Sequence, residues 1–268
     1  MTSVVGEPEQ PSQARDGPLL AATGISKRFA GISALADVSL IVQPGEVVGL
    51  IGPNGAGKTT FFNCLYGILR PEAGEVRFDG QDISRLPVHR RARLGLGRTF
   101  QRIQLFPGMT VRDHLLVAAR AHRGDARLWR DLLNRSHPSE EDQEHAALIL
   151  EVLSLESDAD RPVEALSLGR GRLVELGRAL MTHPRLLLLD EPSSGLDDEE
   201  TAELGLVLRQ LREDRGVAVV LVEHHVDLVR QTCERLTVLD FGTIIAEGET
   251  GAVLTDQAVR VAYLGEGA

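Results

Sequence analysis

The eight residues Gly52-Pro53-Asn54-Gly55-Ala56-Gly57-Lys58-Thr59 fit G-x-x-x-x-G-K-[ST] in full, a spacing whose chemistry is phosphate binding. Glycines let the backbone curl until successive N–H groups point inward and form an anion nest. A helix opening at the end of the loop adds the positive end of its dipole. Lys58 brings a compact, mobile charge for β- and γ-phosphates. The hydroxyl of Thr59 is placed to bind Mg²⁺, and Thr60 follows it into the helix. A second set of groups lies far downstream, where Leu186-Leu187-Leu188-Leu189 runs into Asp190-Glu191. Carboxylates at the C-terminal end of a buried parallel strand sit at the edge where α/β sheets bind ligands. Asp190 is then expected in the metal's shell, and Glu191 is expected to take a proton from the attacking water or to orient it. The acids alone are a weak signal, since an apolar strand can end in Asp-Glu for no reason of function, whereas the loop between its strand and helix is a strong one. Together they specify a site for a nucleotide's phosphates.

Such groups need a strand before the loop, a helix after it and a sheet beneath. Val47–Ile51 is a continuous apolar run of strand length, and Thr59–Leu69 reads as a helix. Residues 34–42 alternate in polarity, as a half-buried strand does. Glu75–Phe78 is a short strand before the turn Asp79-Gly80. Leu115–Ala121 and Ala146–Leu155 are helical by spacing. Arg185–Leu189 and Val217–Val222 read as strands flanking a helix over Thr201–Arg212. Leu236–Leu239 and Thr243–Glu247 form a hairpin about Phe241-Gly242. Strands alternating with helices at both ends predict an α/β fold with a largely parallel sheet. Between about 90 and 165 strand signals vanish and helical ones dominate, so an inserted helical subdomain is expected there. Residues 1–18 are rich in Pro, Glu, Gln and Ser and read as a disordered tail before a domain over 19–268.

Composition narrows the classes. The 268 residues carry a formal net charge of −10, which argues against wrapping nucleic acid. No apolar run approaches the roughly 20 residues of a membrane-spanning helix. The first 18 residues lack the apolar core of a signal peptide. Cys64 and Cys233 give no disulfide framework, and a reducing cytosol fits. All but two of the 29 basic residues are arginine, so Lys27 and Lys58 stand out.

The piece that discriminates among phosphate-binding folds is Leu166-Ser167-Leu168-Gly169-Arg170. It resembles the signature motif of ATP-binding-cassette (ABC) ATPases, L-S-G-G-Q or a variant. The other marks of that family follow in order. Thr99-Phe100-Gln101 resembles the Q-loop, Ser194-Gly195-Leu196-Asp197 the D-loop, and Val222-Glu223-His224 the switch-histidine segment. Phe29 stands where the family stacks an aromatic on adenine. The resemblance covers residues 19–265. Arg98-Thr99-Phe100-Gln101-Arg102, Leu105-Phe106, Met109-Thr110-Val111, Ile245-Ala246-Glu247-Gly248 and Tyr263-Leu264-Gly265 are similar to the ATP-binding subunits of branched-chain amino acid importers. That group also includes importers of urea, short amides and other polar amino acids.

The resemblance implies an ABC ATPase fold, with an antiparallel β subdomain and an α-helical subdomain beside the core. It implies ATP and Mg²⁺ as ligands. Phe29, Gly52, Pro53, Asn54, Gly55, Ala56, Gly57, Lys58, Thr59, Thr60, Gln101, Ser167, Gly169 and Asp197 would bind nucleotide. Thr59, Gln101 and Asp190 would hold the metal, and Glu191 and His224 would be catalytic. It further implies a sandwich dimer in which ATP on one subunit is completed by Ser167 and Gly169 of an identical or paralogous second subunit. The implied partners are transmembrane permeases and, indirectly, an extracytoplasmic solute-binding protein, with the chain peripheral on the cytoplasmic face of the plasma membrane and no nucleic acid bound. The alternatives are an exporter of the lipopolysaccharide type and a soluble nucleotide-dependent regulator.

Three departures stand in the motifs, and the first is Leu168 where a glycine of the signature is common. Arg170 replaces the usual Gln or Glu, and the sequence leaves it to face phosphate or the dimer seam. His225 replaces an Asp common after the switch histidine. His224 and His225 are not expected to share a metal, because adjacent strand residues point to opposite faces. Residues 85–102 hold six arginines (85, 90, 91, 93, 98 and 102) and no acid besides. They are read as a solvated helix face or as a docking surface for permease loops or lipid headgroups, with RNA disfavoured by the scarcity of aromatics.

Overall fold

The strand before the phosphate loop, β3 (Val47–Ile51), is buried along its whole length, and its alternation divides the interior in two. Val47 and Ile51 pack into one apolar core. Val48 and Leu50 pack into another on the opposite face. A strand covered on both faces has no polar side to show, which is why it reads as an unbroken apolar run.

The computed structural model of the chain describes residues 17–99, 104–123 and 138–264; most of the 1–18 tail lies outside them. Five strands around β3 run parallel. They are β9 (Arg235–Asp240), β3, β8 (Ala218–Val222), β7 (Leu186–Asp190) and β6 (Leu96–Arg98), and β10 (Thr243–Glu249) pairs antiparallel with β9 at one edge. A second, four-stranded antiparallel sheet has the order β2 (Ile32–Val42), β1 (Leu20–Phe29), β4 (Ala73–Phe78), β5 (Gln81–Asp82). It lies over α1 (Lys58–Tyr66) and shares the second core with it. The strand expected at 47–51 is present with those bounds, and the strands at 34–42, 75–78 and 185–189 and the hairpin about Phe241-Gly242 are present with shifted ends.

Three differences have physical causes. The ten-residue β1 gave no clean sequence pattern, because its pairing with β2 is interrupted by register shifts. β6 falls inside the 90–165 stretch expected to be free of strands. Its three residues are too few for any periodicity, and it exists by pairing with β7, Leu96 opposite Leu186 and Arg98 opposite Leu188. The helix expected to reach Leu69 stops at Tyr66. Gly67 takes a left-handed φ of 87° and donates its N–H to the Asn63 carbonyl, a helix stop that favours glycine.

The helices of the inserted stretch do not form a core of their own. Leu115 and Ala119 of α3 (Val111–Arg123), Ile149 and Leu150 of α4 (Glu140–Val152) and Leu173 and Val174 of α5 (Leu168–Leu180) belong to the same cluster as Leu187, Leu189, Val219 and Leu221 of the sheet. Gly177 makes the approach possible, since a Cβ there would lie 2.8 Å from Leu115 and 2.9 Å from Leu153. On the same face of the sheet α6 (Asp198–Arg215), α7 (Val226–Thr232), α8 (Thr250–Thr255) and α9 (Gln257–Leu264) join this core through Leu208, Val229, Val253 and Val259 and complete the chain. Among the described residues no helix is long and apolar enough to cross a membrane. Cys64 and Cys233 are buried and unpaired. Burial pushes their thiols up to about 11 and about 12, which leaves both as inert core residues.

The arginine-rich stretch divides once it is folded. Arg91, on α2 (Val88–Arg93), is 1% exposed. Its guanidinium donates to the carbonyls of Cys64 at 2.9 Å, Leu65 at 2.6 Å, Leu86 at 3.0 Å and Ser84 at 3.1 Å. It thereby satisfies the carbonyls left open where α1 ends. Arg98 is likewise turned inward, as described below. Arg85, Arg90 and Arg93 remain exposed, and Arg102 lies outside the described residues. Arg91→Lys keeps the charge but cannot span four carbonyls from one nitrogen. Thermal unfolding of this variant is expected to show a loss of roughly 2–4 kcal/mol, the cost of unsatisfied buried acceptors. An unchanged melting temperature would show that these carbonyls do not depend on the fork.

Candidate functional site

The phosphate loop leaves β3 at Gly52 and enters α1 at Lys58. Two of its glycines are obligatory. A Cβ on Gly52 would lie 2.0 Å from the Leu239 carbonyl, and one on Gly57, where φ is 106°, 2.6 Å from the Ala34 carbonyl. The strand β9 and the start of β2 therefore press on the loop from both sides. The space beside Gly55 is open, so the loop keeps a clear concave side. Lys58 is 6% exposed, and its ammonium donates to the carbonyls of Gly52 at 2.6 Å and Pro53 at 3.0 Å. Burial pulls its pKa below the usual lysine range, and the carboxylates of Glu191 and Asp190 oppose that shift.

Those two acids arrive at the same sheet edge from β7. Asp190 is 4% exposed. Its Oδ2 accepts from Arg98 of β6 at 3.1 Å, and Arg98 also donates to Asn63 Oδ1 of α1 at 2.7 Å. Burial raises the Asp190 carboxyl above its ordinary value while Arg98 holds it down. Glu191 has the left-handed φ of 50°, rare for a residue with a side chain and costing about 1–2 kcal/mol. Its N–H donates to the Val222 carbonyl at 2.8 Å, and its Oε1 lies 3.0 Å from His224 Nε2. The sharp turn lifts Glu191 away from the strand and sets it against the histidine at the end of β8.

Sequence reasoning did not find the group that holds these two strand ends together. Glu223 is 2% exposed. It accepts from the Ser193 N–H at 2.8 Å, from the His224 N–H at 3.0 Å and from the His225 N–H at 3.4 Å. It therefore ties the turn after β7 to the turn after β8, and only a contact across thirty residues reveals this. The His225 departure also finds its reason. Its Nδ1 accepts from the Leu228 N–H at 3.3 Å and caps α7, the acceptor role that an Asp fills at a helix start. The two histidine rings thus serve different partners.

The signature segment forms a second cluster. Ser167 caps α5, its Oγ accepting from the Arg170 N–H at 3.2 Å. Asp197 caps α6 in a reciprocal pair with Glu200, so in this chain its carboxylate is spent on its own helix. The Ser167 hydroxyl and the Gly169 N–H both donate to Glu200 Oε1, at 2.9 and 3.2 Å. Arg170, the departure in the signature, is engaged within the chain. Its guanidinium turns back into the chain and pairs with Asp158 at 2.9 Å and Glu203 at 3.5 Å, and it donates to the Ser154 carbonyl at 2.7 Å. The buried carboxylate of Asp158 provides the attraction that a sequence motif cannot display. Leu168 is 46% exposed and lies over the D-loop, where a Cβ on Gly195 would be 2.6 Å from it.

Gln101 lies outside the described residues, with Phe100 and Arg102. The chain on its far side is clamped: Glu175 accepts from the Gln104 N–H at 2.7 Å, and Arg178 donates to the Gln104 carbonyl at 2.6 Å. Burial raises the Glu175 carboxyl. A cavity of about 280 Å³ opens here between the sheet and the inserted helices, lined by Arg98, Thr99, His122, Glu175 and Arg178 among others. Phe29, at the end of β1, is 45% exposed, with the Lys27 ammonium 5.6 Å from its ring centre.

The site therefore offers a nest with a buried cation, two carboxylates in distinct settings and a histidine on one of them. The hydroxyl of Thr59 and the carboxylate of Asp190 are hard oxygen donors of the kind Mg²⁺ takes. No cluster of three or more His, Cys, Asp or Glu among the described residues could hold a metal alone.

The sequence pattern described as ABC transporter matches residues 35–194. The chain is 40% identical over 252 residues to the high-affinity branched-chain amino acid transport ATP-binding protein BraF of Pseudomonas aeruginosa, covering 93% of this chain and 98% of that protein. It is 39% identical, with the same coverage, to LivG of Escherichia coli, which has the same description. The lipopolysaccharide export system ATP-binding protein LptB of Escherichia coli is 37% identical over 247 residues, 92% of this chain and 97% of that protein. Among solved structures, the ADP conformation of MJ1267, an ATP-binding cassette of an ABC transporter, superposes with a TM-score of 0.82 at 35% identity, over 93% of this chain and 99% of that one. The six-stranded core, the antiparallel sheet, the inserted helices and the phosphate loop are those of an ATP-binding cassette, and the chain belongs to the ABC transporter family as one of its ATP-hydrolysing subunits.

Proposed function

We propose that this chain powers an importer of branched-chain or related amino acids or small amides, working as one half of an ATP-sandwich dimer beneath transmembrane permeases on the cytoplasmic face of the membrane. The observation that carries this reading is the near-full-length similarity to BraF and LivG. An extracytoplasmic binding protein would deliver the solute to the permeases.

The loop 52–59 and Thr60 receive the triphosphate, and Lys58 neutralises its outer charges from a nearly dry position. Phe29 stacks on adenine. Thr59, Asp190 and Gln101 hold Mg²⁺, which when bound neutralises phosphate charge and polarises the bond to be broken. Arg98 fixes the rotamer of Asp190, so that carboxylate acts as an oriented ligand. Glu191 orients the attacking water and accepts its proton. His224, 3.0 Å away, keeps Glu191 in that orientation and reads the γ-phosphate position. Ser167 and Gly169 of the second subunit close over the γ-phosphate, so the closed state requires ATP. Asp197 lies at the seam through its loop rather than through a free carboxylate.

Reconstitution with the transmembrane permeases and solute-binding protein of a branched-chain amino acid importer tests the function. ATP-dependent uptake of leucine, isoleucine or valine into proteoliposomes is expected. ATPase stimulation only by a lipid-linked polysaccharide would move the chain to the exporter class. Phe29→Ala is expected to weaken ATP binding by about 1–3 kcal/mol, the usual worth of stacking a base, as read by calorimetry; an unchanged affinity would place adenine elsewhere.

A further inference from the structure

The two groups that the sandwich reading assigns to an incoming γ-phosphate already hold an anion in this chain. Glu200 Oε1 accepts from the Ser167 hydroxyl at 2.9 Å and from the Gly169 N–H at 3.2 Å. Its other oxygen, Oε2, lies 3.4 Å from the Asp197 N–H, while the Glu200 N–H donates to Asp197 Oδ1 at 2.8 Å. The contact is close: a Cβ on Gly169 would fall 2.4 Å from the Glu200 carboxyl carbon. One carboxylate thus bridges the start of α5 and the start of α6, sitting where the dipole of the thirteen-residue α5 favours negative charge.

We infer that Glu200 is a resident competitor for the Ser167–Gly169 donor pair, displaced when ATP on the opposing subunit takes that pair, and that it sets the ATP concentration at which two subunits close. The inference rests on the sandwich reading. Donor capacity is its basis. A serine hydroxyl has one proton and a backbone amide has one, so neither can serve the carboxylate and a phosphate oxygen together. The γ-phosphate would also meet a like charge at hydrogen-bonding distance, and Arg170 of the same signature segment is already engaged by Asp158 and Glu203. Glu200 has somewhere to go. Its Oε2 already approaches the Asp197 N–H, so release from α5 lets the carboxylate tighten the cap of α6. Occupation of the signature by the partner's nucleotide would then stiffen the D-loop helix of the same chain.

The test uses the full chain carrying Glu191→Gln, which removes turnover, titrated with MgATP while the dimer fraction is followed by sedimentation. Adding Glu200→Gln keeps the shape and the cap but removes the charge. The ATP midpoint for dimerisation is expected to fall about threefold to tenfold, as suits the loss of one charge-assisted pair. Glu200→Ala should shift it at least as far. Amide exchange without nucleotide gives a second readout: the Gly169 N–H should exchange faster in Glu200→Ala than in the parent. A midpoint that stays or rises in Glu200→Gln overturns the inference and makes the carboxylate an organiser of Ser167. A Gly169 amide that exchanges equally fast in both chains overturns it too. Failure of the Glu191→Gln chain to dimerise at any ATP concentration, both alone and with a paralogous second subunit added, overturns the sandwich reading itself, which separates the two failures.

Discussion

Glu191→Gln is expected to lower ATP hydrolysis by roughly two to four orders of magnitude, the usual contribution of a general base, while leaving ATP binding intact. The substitution removes a proton acceptor and little else. A glutamine oxygen still reaches His224 Nε2, which lies 3.0 Å from Glu191 Oε1. The backbone hydrogen bond from residue 191 to the Val222 carbonyl does not involve the side chain. The melting temperature should therefore stay close to that of the parent. Lys58, Thr59 and Asp190 are untouched, so nucleotide affinity measured by calorimetry should be unchanged. The dimer closed on ATP should accumulate, because nothing removes the phosphate that bridges the subunits. Turnover at the parental rate would remove Glu191 from catalysis.

The second large effect is expected at Lys58. Lys58→Ala should weaken ATP binding by about a hundredfold or more, as befits loss of a charge-assisted contact in a poorly solvated place. Two consequences combine. The phosphates lose a cation that burial has already desolvated. The loop loses the donor shared by the Gly52 and Pro53 carbonyls, so the nest itself is less ordered before nucleotide arrives. Lys58→Arg separates these effects. It restores charge, but its wider head cannot sit within hydrogen-bonding distance of both carbonyls and leave the concave side clear, so only a partial recovery is expected. Calorimetric titration checks both variants, and parental affinity in Lys58→Ala would place the phosphates outside the 52–59 loop.

The parts of the site legible in the sequence are those whose chemistry is contiguous. A phosphate loop is one strand, one turn and one helix start, so eight adjacent residues carry all of it. The acids at 190 and 191 follow an apolar run whose buried setting is plain from composition. What stayed hidden depends on long-range contact. Glu223, Glu200 and Arg91 look like ordinary surface residues in a sequence. Each is a fastening only because a partner from another element comes within about 3 Å. The ion pair of Arg170 was hidden for the same reason, since its motif position says nothing of Asp158. β6 was invisible because three residues have no period, and its neighbour β7 makes it a strand.

The left-handed backbone at Glu191 sets two selections against each other. Glycine, and to a lesser degree asparagine, sits in that conformation at less cost than glutamate. A library of variants enriched only for thermal tolerance would therefore drift away from glutamate at position 191, each step gaining a fraction of the roughly 1–2 kcal/mol held in the turn. Enrichment for growth on a transported nutrient would drive the same position back. Glutamate at 191 is thus a residue that folding alone would discard, as expected of a position kept for the general-base role proposed for it.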